Sequence, residues 1–118
     1  MSIPEKPTIE MTLLQNQEQF EVLLGRAPTD QPVPSFAIVY FTAPWCKACK
    51  RLDLPQIVET ASQATWFKCD IDTNDYTAGY CGIKSIPTFL VLRDKKVAGQ
   101  LQDSRTEKVV EWLKRFVE

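Results

Sequence analysis

Two cysteines separated by two residues, Cys46 and Cys49, follow an apolar run and precede a helix-like segment. The run, residues 36–41, has the length and the β-branched and aromatic content of a buried strand. Because a helix N-terminus carries unpaired N–H groups and partial positive charge, a cysteine placed there is favoured as the thiolate. The pattern therefore predicts that Cys46 is a nucleophile and that Cys49, three positions later, can close a disulfide with it.

The length and charge of the chain restrict its fold and its partners. Its 118 residues suit one domain with a single core, and 14 basic against 15 acidic residues give a formal net charge of −1. No basic surface for nucleic acid or for a membrane is therefore expected. Residues 1–8 are predicted to be a loose tail before one domain at 9–118. They lack a secretory signal pattern, which favours a reducing, cytoplasmic location.

Strand-like and helical segments alternate along the chain, in the predicted order β-α-β-α-β-α-β-β-α. This order implies an α/β fold in which a mixed central sheet is flanked by helices. The predicted strands are 9–14, 36–41, 66–71, 88–92 and 97–101, and the predicted helices are 16–24, 46–63, 75–80 and 104–117.

Local signals add detail to this order. Asn16, with Gln19 three residues later, is predicted to cap the first helix. Ser104 and Glu107 form a capping-box pattern before the last helix, whereas Pro55 is expected to kink the second helix. The predicted strand at 66–71 would place Phe67, Cys69 and Ile71 on one face.

Three segments make the chain resemble the thioredoxin family: Ala43–Lys50 (APWCKACK), Phe67–Asp72 (FKCDID) and Gly82–Phe89 (GIKSIPTF). The resemblance extends from about residue 9 to the C-terminus. It implies the thioredoxin fold and a thiol–disulfide oxidoreductase that reduces protein disulfides as a monomer without a cofactor, with a thioredoxin reductase or a similar donor restoring the dithiol. In this family the first cysteine is an exposed attacking group and the second is buried and resolves the mixed disulfide, roles that fall to Cys46 and Cys49.

The resemblance also implies a substrate groove. Trp45, directly before the dithiol, would form one wall of the groove. A cis Ile86–Pro87 bond would turn the backbone of Ile86 towards the dithiol, where it can pair with an extended substrate.

Several residues near the dithiol differ from the usual family pattern. Lys47 and Ala48 stand where glycine and proline are common, and Lys47 either stabilises the Cys46 thiolate or is simply a solubilising surface charge. Tyr40 replaces a buried aspartate six residues before the first cysteine, which leaves Lys68 without its usual counter-charge. Pro55 comes one position late, and residues 100–104 lack a glycine that generally faces the site.

The remaining cysteines suggest neither a metal site nor a structural framework. Cys69 and Cys81 have eleven residues between them and the chain has no histidine, whereas a zinc site needs a second close pair of ligands. Cys69 is interpreted as a small core residue, and Cys81 as either packed or open to oxidative modification.

Two other functions remain open at the level of sequence. The chain could be a specialised redox relay, a tryparedoxin-like electron donor to one partner, with Tyr40, Lys47 and the lost glycine as its adaptations. Alternatively, the fold could serve as a non-catalytic assembly subunit with an incidental dithiol.

Overall fold

The apolar run before the dithiol forms the central strand of the sheet. The computed structural model describes residues 10–117, so the predicted tail at 1–8 and the start of the first predicted strand at Ile9 lie outside the described residues. The strands are β1 (Thr12–Leu13), β2 (Phe36–Thr42), β3 (Thr65–Asp70), β4 (Thr88–Arg93) and β5 (Lys96–Gln102), and the helices are α1 (Gln17–Leu23), α2 (Leu54–Thr60), α3 (Asp75–Tyr80) and α4 (Thr106–Val117). The predicted element order and α/β class are confirmed.

The five strands lie in the order β1-β3-β2-β4-β5. β1, β3 and β2 are parallel, whereas β4 and β5 pair in antiparallel fashion and make the sheet mixed. The β4–β5 turn has two residues, Asp94 and Lys95, with φ of 53° and 69°. Positive φ at both positions matches the twist of adjacent strands, which makes such tight turns typical of β-hairpins.

Alternating side chains of β2 enter two separate cores. Ile38 and Tyr40 pack with residues of α2 and α4 on one face of the sheet. Val39 and Phe41 pack with residues of α1 and α3 on the other face. The apolar stripe predicted for the last helix lies in the first core, with Val109 and Leu113 fully buried. Both faces of β2 are therefore covered, which explains its uninterrupted apolar sequence.

The second predicted helix, 46–63, is wrong as one continuous element. Cys49–Arg51 forms a short 3-10 helix, Leu52 is extended, and α2 begins only at Leu54. Asp53 caps α2 by accepting the N–H of Gln56 at 3.1 Å. Pro55 therefore lies in the first turn of α2, where its missing N–H has no helical partner to lose, and it starts this helix instead of kinking it.

Other boundaries also differ from the sequence-based predictions. α4 begins at Thr106, so Ser104 is not its capping residue, and the nearby carboxylate of Asp103 accepts the N–H of Arg105 at 2.9 Å. Phe67 and Cys69 do share a face, and Ile71 packs against the same core although it lies beyond the end of β3 at Asp70. The predicted cap is confirmed at Asn16, whose side chain accepts the N–H of Gln19 at 3.0 Å.

Within residues 10–117, no helix is both long enough and apolar enough to cross a lipid bilayer.

Candidate dithiol site

The topology brings three separate segments to one edge of the sheet. β2 and β3 are parallel, so the segments after Thr42 and after Asp70, which are paired residues, leave the sheet side by side. β4 runs antiparallel to β2 and begins with Thr88 opposite Phe41, so the segment before β4 reaches the same edge. The dithiol, the segment after β3 and the Ile86–Pro87 bond therefore meet although they are far apart in the sequence.

Cys46 and Cys49 are joined by a disulfide, with their Cα atoms 5.3 Å apart. The N–H of Cys49 donates to Sγ of Cys46 at 3.1 Å. Around them, the N–H groups of Lys50 and Arg51 bond to carbonyls three residues earlier, at 3.2 Å each. The partial positive charge at Cys46 thus comes from the first N–H of a 3-10 turn and not from the α-helix that the sequence predicts.

Both sulfur-bearing residues are buried in this disulfide form. Cys46 is 4% exposed and Cys49 is 6% exposed, and both belong to the core on the α2 and α4 side. The predicted buried position of Cys49 is confirmed, but the predicted exposure of Cys46 is wrong for the oxidised protein. The physical reason is that Cys46, like Cys49, packs into the core on the α2 and α4 side.

Trp45 forms an exposed wall beside the disulfide. Its side chain is 60% exposed, and its indole N–H donates to the carboxylate of Asp72, at 2.9 Å to Oδ2 and 3.1 Å to Oδ1. Trp45 also lines a cavity of about 300 Å³ together with Ile83 and Ile86. Asp72 is not among the site residues that the sequence predicts. The signal for it is the parallel pairing of β2 and β3, which places the segments after both strands together.

The Ile86–Pro87 bond is cis, which confirms the predicted geometry. Pro87 is buried, whereas Ile86 is half-buried and borders the cavity beside Trp45. Among the backbone hydrogen bonds of residues 10–117, none is recorded for Ile86. The residue therefore presents an apolar side chain and unpaired backbone groups at the groove.

A second cavity, of about 420 Å³, lies behind the disulfide. It is lined by both cysteines and by Tyr40, Lys50 and Lys68. The Tyr40 ring stacks on Phe89, with ring centroids 5.0 Å apart. Burial raises the pKa of the Tyr40 hydroxyl, and a side-chain hydrogen bond with Thr42 acts in the opposite direction. The structure thus brings Tyr40 and Lys68 to the dithiol, as the sequence predicts, but the phenol is a proton donor at neutral pH.

Lys47 and Ala48 connect the two cysteines. The Lys47 side chain is exposed, whereas Ala48 is half-buried and packs against the core next to the disulfide. Lys47 also accepts the N–H of Lys50 with its carbonyl, so its backbone is fixed while its side chain reaches into solvent. The effect of Lys47 and Ala48 on the dithiol stays a prediction.

Cys69 and Cys81 are free thiols on the opposite face of the sheet, in or against the core of α1 and α3. Burial, with smaller electrostatic contributions from Cys81 and Asp70, raises the pKa of Cys69 to about 12. Burial also raises the pKa of Cys81 to about 12. Among residues 10–117, no three histidine, cysteine or acidic residues are grouped closely enough to hold a metal ion.

Comparisons with known proteins agree with this geometry. The chain is 37% identical to the chloroplastic M-type thioredoxin of Brassica napus over 93 residues, which are 75% of this chain and 46% of that protein. It is 44% identical to thioredoxin of Bacillus subtilis over 62 residues, 48% of this chain and 58% of that one. The matches thus span about half the length of these curated relatives.

A solved structure and a family model complete the comparison. Mitochondrial thioredoxin 3 of Saccharomyces cerevisiae, in its oxidised form, superposes with a TM-score of 0.75 at 22% identity, covering 89% of this chain and 94% of that one. The family model described as Thioredoxin matches residues 10–115. Because that match spans nearly the whole chain, this protein belongs to the thioredoxin family.

Proposed function

We propose that this protein is a thiol–disulfide oxidoreductase that reduces protein disulfides through a reversible Cys46–Cys49 bond. The observation that carries the proposal is this disulfide at the edge of the sheet, which lines one cavity directly, while the adjacent Trp45 lines another. One cavity has an exposed aromatic wall suited to a polypeptide, and the other holds the groups that can influence proton transfer. Membership of the thioredoxin family supports the same activity.

In the first step, the Cys46 thiolate of the reduced protein attacks one sulfur of the substrate disulfide. A Cys46–substrate mixed disulfide forms as the substrate bond breaks, and the other substrate sulfur leaves as a thiolate that takes up a proton. The N–H of Cys49, 3.1 Å from the Cys46 sulfur in the disulfide form, favours the attacking thiolate.

In the second step, Cys49 loses its proton and attacks the Cys46 sulfur of the mixed disulfide. The Cys46–Cys49 bond forms and the second substrate sulfur leaves as a thiol, so two electrons and two protons pass to the substrate. The same exchange in reverse, with an external dithiol, restores the reduced protein.

The groove beside Trp45 is the proposed substrate site. The Trp45 indole is held at Asp72, so it offers a fixed apolar surface with little loss of side-chain entropy on binding. Ile86 provides a neighbouring apolar side chain and unpaired backbone groups, which suit an extended segment that binds as a short added strand. Pro87 holds this backbone in place.

The partners and location follow from the same chemistry. The protein acts as a monomer in a reducing, cytoplasm-like compartment, and a thioredoxin reductase or a similar donor regenerates it. The free Cys69 and Cys81 thiols support a reducing compartment, where thiols remain unpaired.

The test is turnover of a disulfide-bonded protein substrate, first with dithiothreitol and then with a thioredoxin reductase and its electron source. A general reductase turns over with both donors. A specialised relay turns over with dithiothreitol only, whereas an assembly subunit fails with each. Failure with both donors would overturn the proposed activity.

The Cys49→Ser variant identifies the targets. It retains the attacking sulfur but cannot resolve the mixed disulfide, so it accumulates covalent complexes that mass spectrometry can identify. The matched variant Cys46→Ser, in the same extract, shows which captured proteins depend on the attacking sulfur.

A specialised relay is the second candidate, and two observations favour it. Tyr40 occupies the cavity behind the disulfide, where its hydroxyl is protonated at neutral pH. In addition, the loop before α4 carries a bidentate ion pair, in which Arg105 donates to Asp103 at 3.0 Å and 2.8 Å. These features suit a protein adapted to one partner, and the reductase experiment separates it from a general enzyme.

A further inference from the structure

A third cavity, of about 380 Å³, lies away from the dithiol, between the C-terminal ends of α1 and α3 and the β4–β5 hairpin. Its accessible apolar lining is formed by Leu24, Tyr80 and Val97, above the buried side chains of Phe20 and Leu90. The side chain of Val97 on β5 is 57% exposed at this corner. The volume falls in the range typical of small-molecule sites.

Three cations line this cavity: Arg26, Lys95 and Lys96. Among residues 10–117, no acidic residue lines it. The chain as a whole has a formal net charge of −1, so this concentration of positive charge is local. Cations at a concave, partly apolar surface produce a stronger field than the same charges on a flat surface, because the low-dielectric walls focus it.

Two of these cations, Arg26 and Lys95, make contacts with uncharged groups. A side chain at Gly25, where φ is +72°, would put its Cβ 2.8 Å from Cδ of Lys95, so the stem of Lys95 lies directly over this glycine. Arg26 donates a hydrogen bond to the hydroxyl of Tyr80. Among residues 10–117, the ion pairs are Arg105–Asp103 and Lys108–Glu111, so the three cavity cations have no carboxylate partner there.

Helix capping does not account for these cations. Basic residues near a helix C-terminus commonly bond to its last carbonyls. At the end of α1, however, the carbonyl of Glu21 accepts the N–H groups of Leu24 and Arg26, and that of Val22 accepts the N–H of Gly25. At the end of α3, the carbonyls of Thr77 and Ala78 likewise accept backbone N–H groups. The backbone satisfies its own carbonyls and leaves the cationic side chains available.

We propose that this cavity binds a small amphipathic anion, one anionic head group on an aromatic or aliphatic body. The head group, a carboxylate, sulfonate or phosphate, lies among Arg26, Lys95 and Lys96. The body packs on the accessible apolar surface of Leu24, Tyr80 and Val97. An anion with a head group and an apolar body contacts both the cations and the apolar surface, whereas a bare inorganic anion contacts only the cations.

The test uses the fluorescent probe 8-anilinonaphthalene-1-sulfonate, which has an aromatic body and one sulfonate. The folded full-length protein is expected to bind it saturably at one site and to show a higher unfolding temperature in its presence. Removing two cations in the double variant Lys95→Gln and Lys96→Gln should weaken binding roughly tenfold. The neutral probe N-phenyl-1-naphthylamine should bind more weakly than the sulfonate, and benzoate should displace the sulfonate at lower concentration than inorganic phosphate.

Two matched variants locate the site. Lys114→Gln removes the same charge from the exposed face of α4, and Lys84→Gln removes a cation from the cavity beside Trp45. Neither should alter probe affinity by more than about twofold. The proposal is overturned if binding does not saturate, if the double variant binds like Lys114→Gln, or if Lys84→Gln is the variant that loses affinity. Equal affinity for the neutral probe would also overturn it, since the cations would then have no role.

Discussion

The four cysteines form two groups that share a residue type but differ in their surroundings. Cys46 and Cys49 lie at an edge of the sheet, joined in a disulfide and bordered by a cavity. Cys69 and Cys81 lie on the opposite face, in or against the core of α1 and α3, as free thiols. All four residues are at least half-buried, so exposure alone does not separate the reactive group from the inert one.

The difference lies in what each sulfur contacts. The sulfur of Cys46 receives a backbone N–H, which favours negative charge, whereas Cys69 contacts the carbonyl oxygen of Asn74 at 3.6 Å. A carbonyl oxygen favours the protonated thiol, and burial acts in the same direction. From this comparison we expect that the groups which the local backbone points at a sulfur, and not burial alone, determine which cysteine acts as the nucleophile.

The largest effect is expected from exchanging the attacking sulfur for oxygen. Cys46→Ser should lower protein-disulfide turnover by roughly three orders of magnitude or more, because the serine hydroxyl is not ionised at neutral pH. The matched variant Cys69→Ala should keep activity within about twofold, since Cys69 is only a packing residue. Turnover with dithiothreitol measures both. A Cys69→Ala variant as inactive as Cys46→Ser would remove the distinction between the two groups.

Alkylation rates test the same comparison without mutation. In the reduced protein at pH 7.5, iodoacetamide should label Cys46 first. With pKa values of about 12, Cys69 and Cys81 have thiolate fractions on the order of 10⁻⁴ or less at this pH. Mass spectrometry of timed samples gives the order, and protein unfolded in urea is the control in which all four cysteines become accessible. Faster labelling of Cys49, Cys69 or Cys81 than of Cys46 would contradict the assigned roles.

The sequence was sufficient for the element order, the dithiol and the cis Ile86–Pro87 bond, because these depend on local patterns and on a family motif. It was not sufficient for the segment after Cys46. Helical propensity continued through residues 46–63, but Asp53 and Pro55 together form a helix start, and this pair interrupts the segment. The capping aspartate and the proline therefore mark the start of α2 more reliably than the spacing of apolar residues does.

Two features of the structure depend on contacts between distant segments and could not be found from local patterns. The bond from Trp45 to Asp72 joins the ends of two parallel strands. The cavity cations come from the end of α1 and from the β4–β5 turn, which meet only in the folded chain. The burial of Cys46 is a third case, because Cys46 packs in a core that residues of the sheet, α2 and α4 form only in the folded chain.

A smaller effect is expected for Tyr40, which borders the more reactive pair. When Cys49 attacks the mixed disulfide it must lose its proton, and a buried phenol whose pKa is raised cannot accept that proton at neutral pH. Resolution should therefore accelerate as the pH rises. Tyr40→Asp supplies a carboxylate and should speed this step by about tenfold or more near pH 7, while it lowers stability through loss of the stack on Phe89.

Single-turnover kinetics on a preformed Cys46 mixed disulfide measures the resolving step directly. Tyr40→Phe is the control, because it keeps the ring stack and removes only the hydroxyl. Lys68→Gln, at the same cavity, reports whether the ammonium group favours the Cys49 thiolate. A resolving rate that is independent of pH and unchanged by Tyr40→Asp would show that position 40 has no role in proton transfer.

The smallest effect is expected from Cys69 and Cys81, and it concerns the unfolding temperature at alkaline pH. In the unfolded chain a thiol ionises near pH 8.5, whereas the folded Cys69 and Cys81 remain protonated until about pH 12. Between these values the unfolded state binds fewer protons than the folded state. The contribution of the two thiols to the free energy of unfolding is therefore fully present below about pH 8.5 and is lost as the pH rises.

Cys69→Ala removes one of the two groups and should make the unfolding temperature fall less steeply from pH 9 to pH 11, even if the variant starts lower at pH 7. The slope, measured on the reduced protein by circular dichroism, isolates ionisation from packing. An identical slope in the wild type and in Cys69→Ala would mean that the Cys69 thiol ionises as readily in the folded state as in the unfolded one, and burial would then not be what keeps it inert.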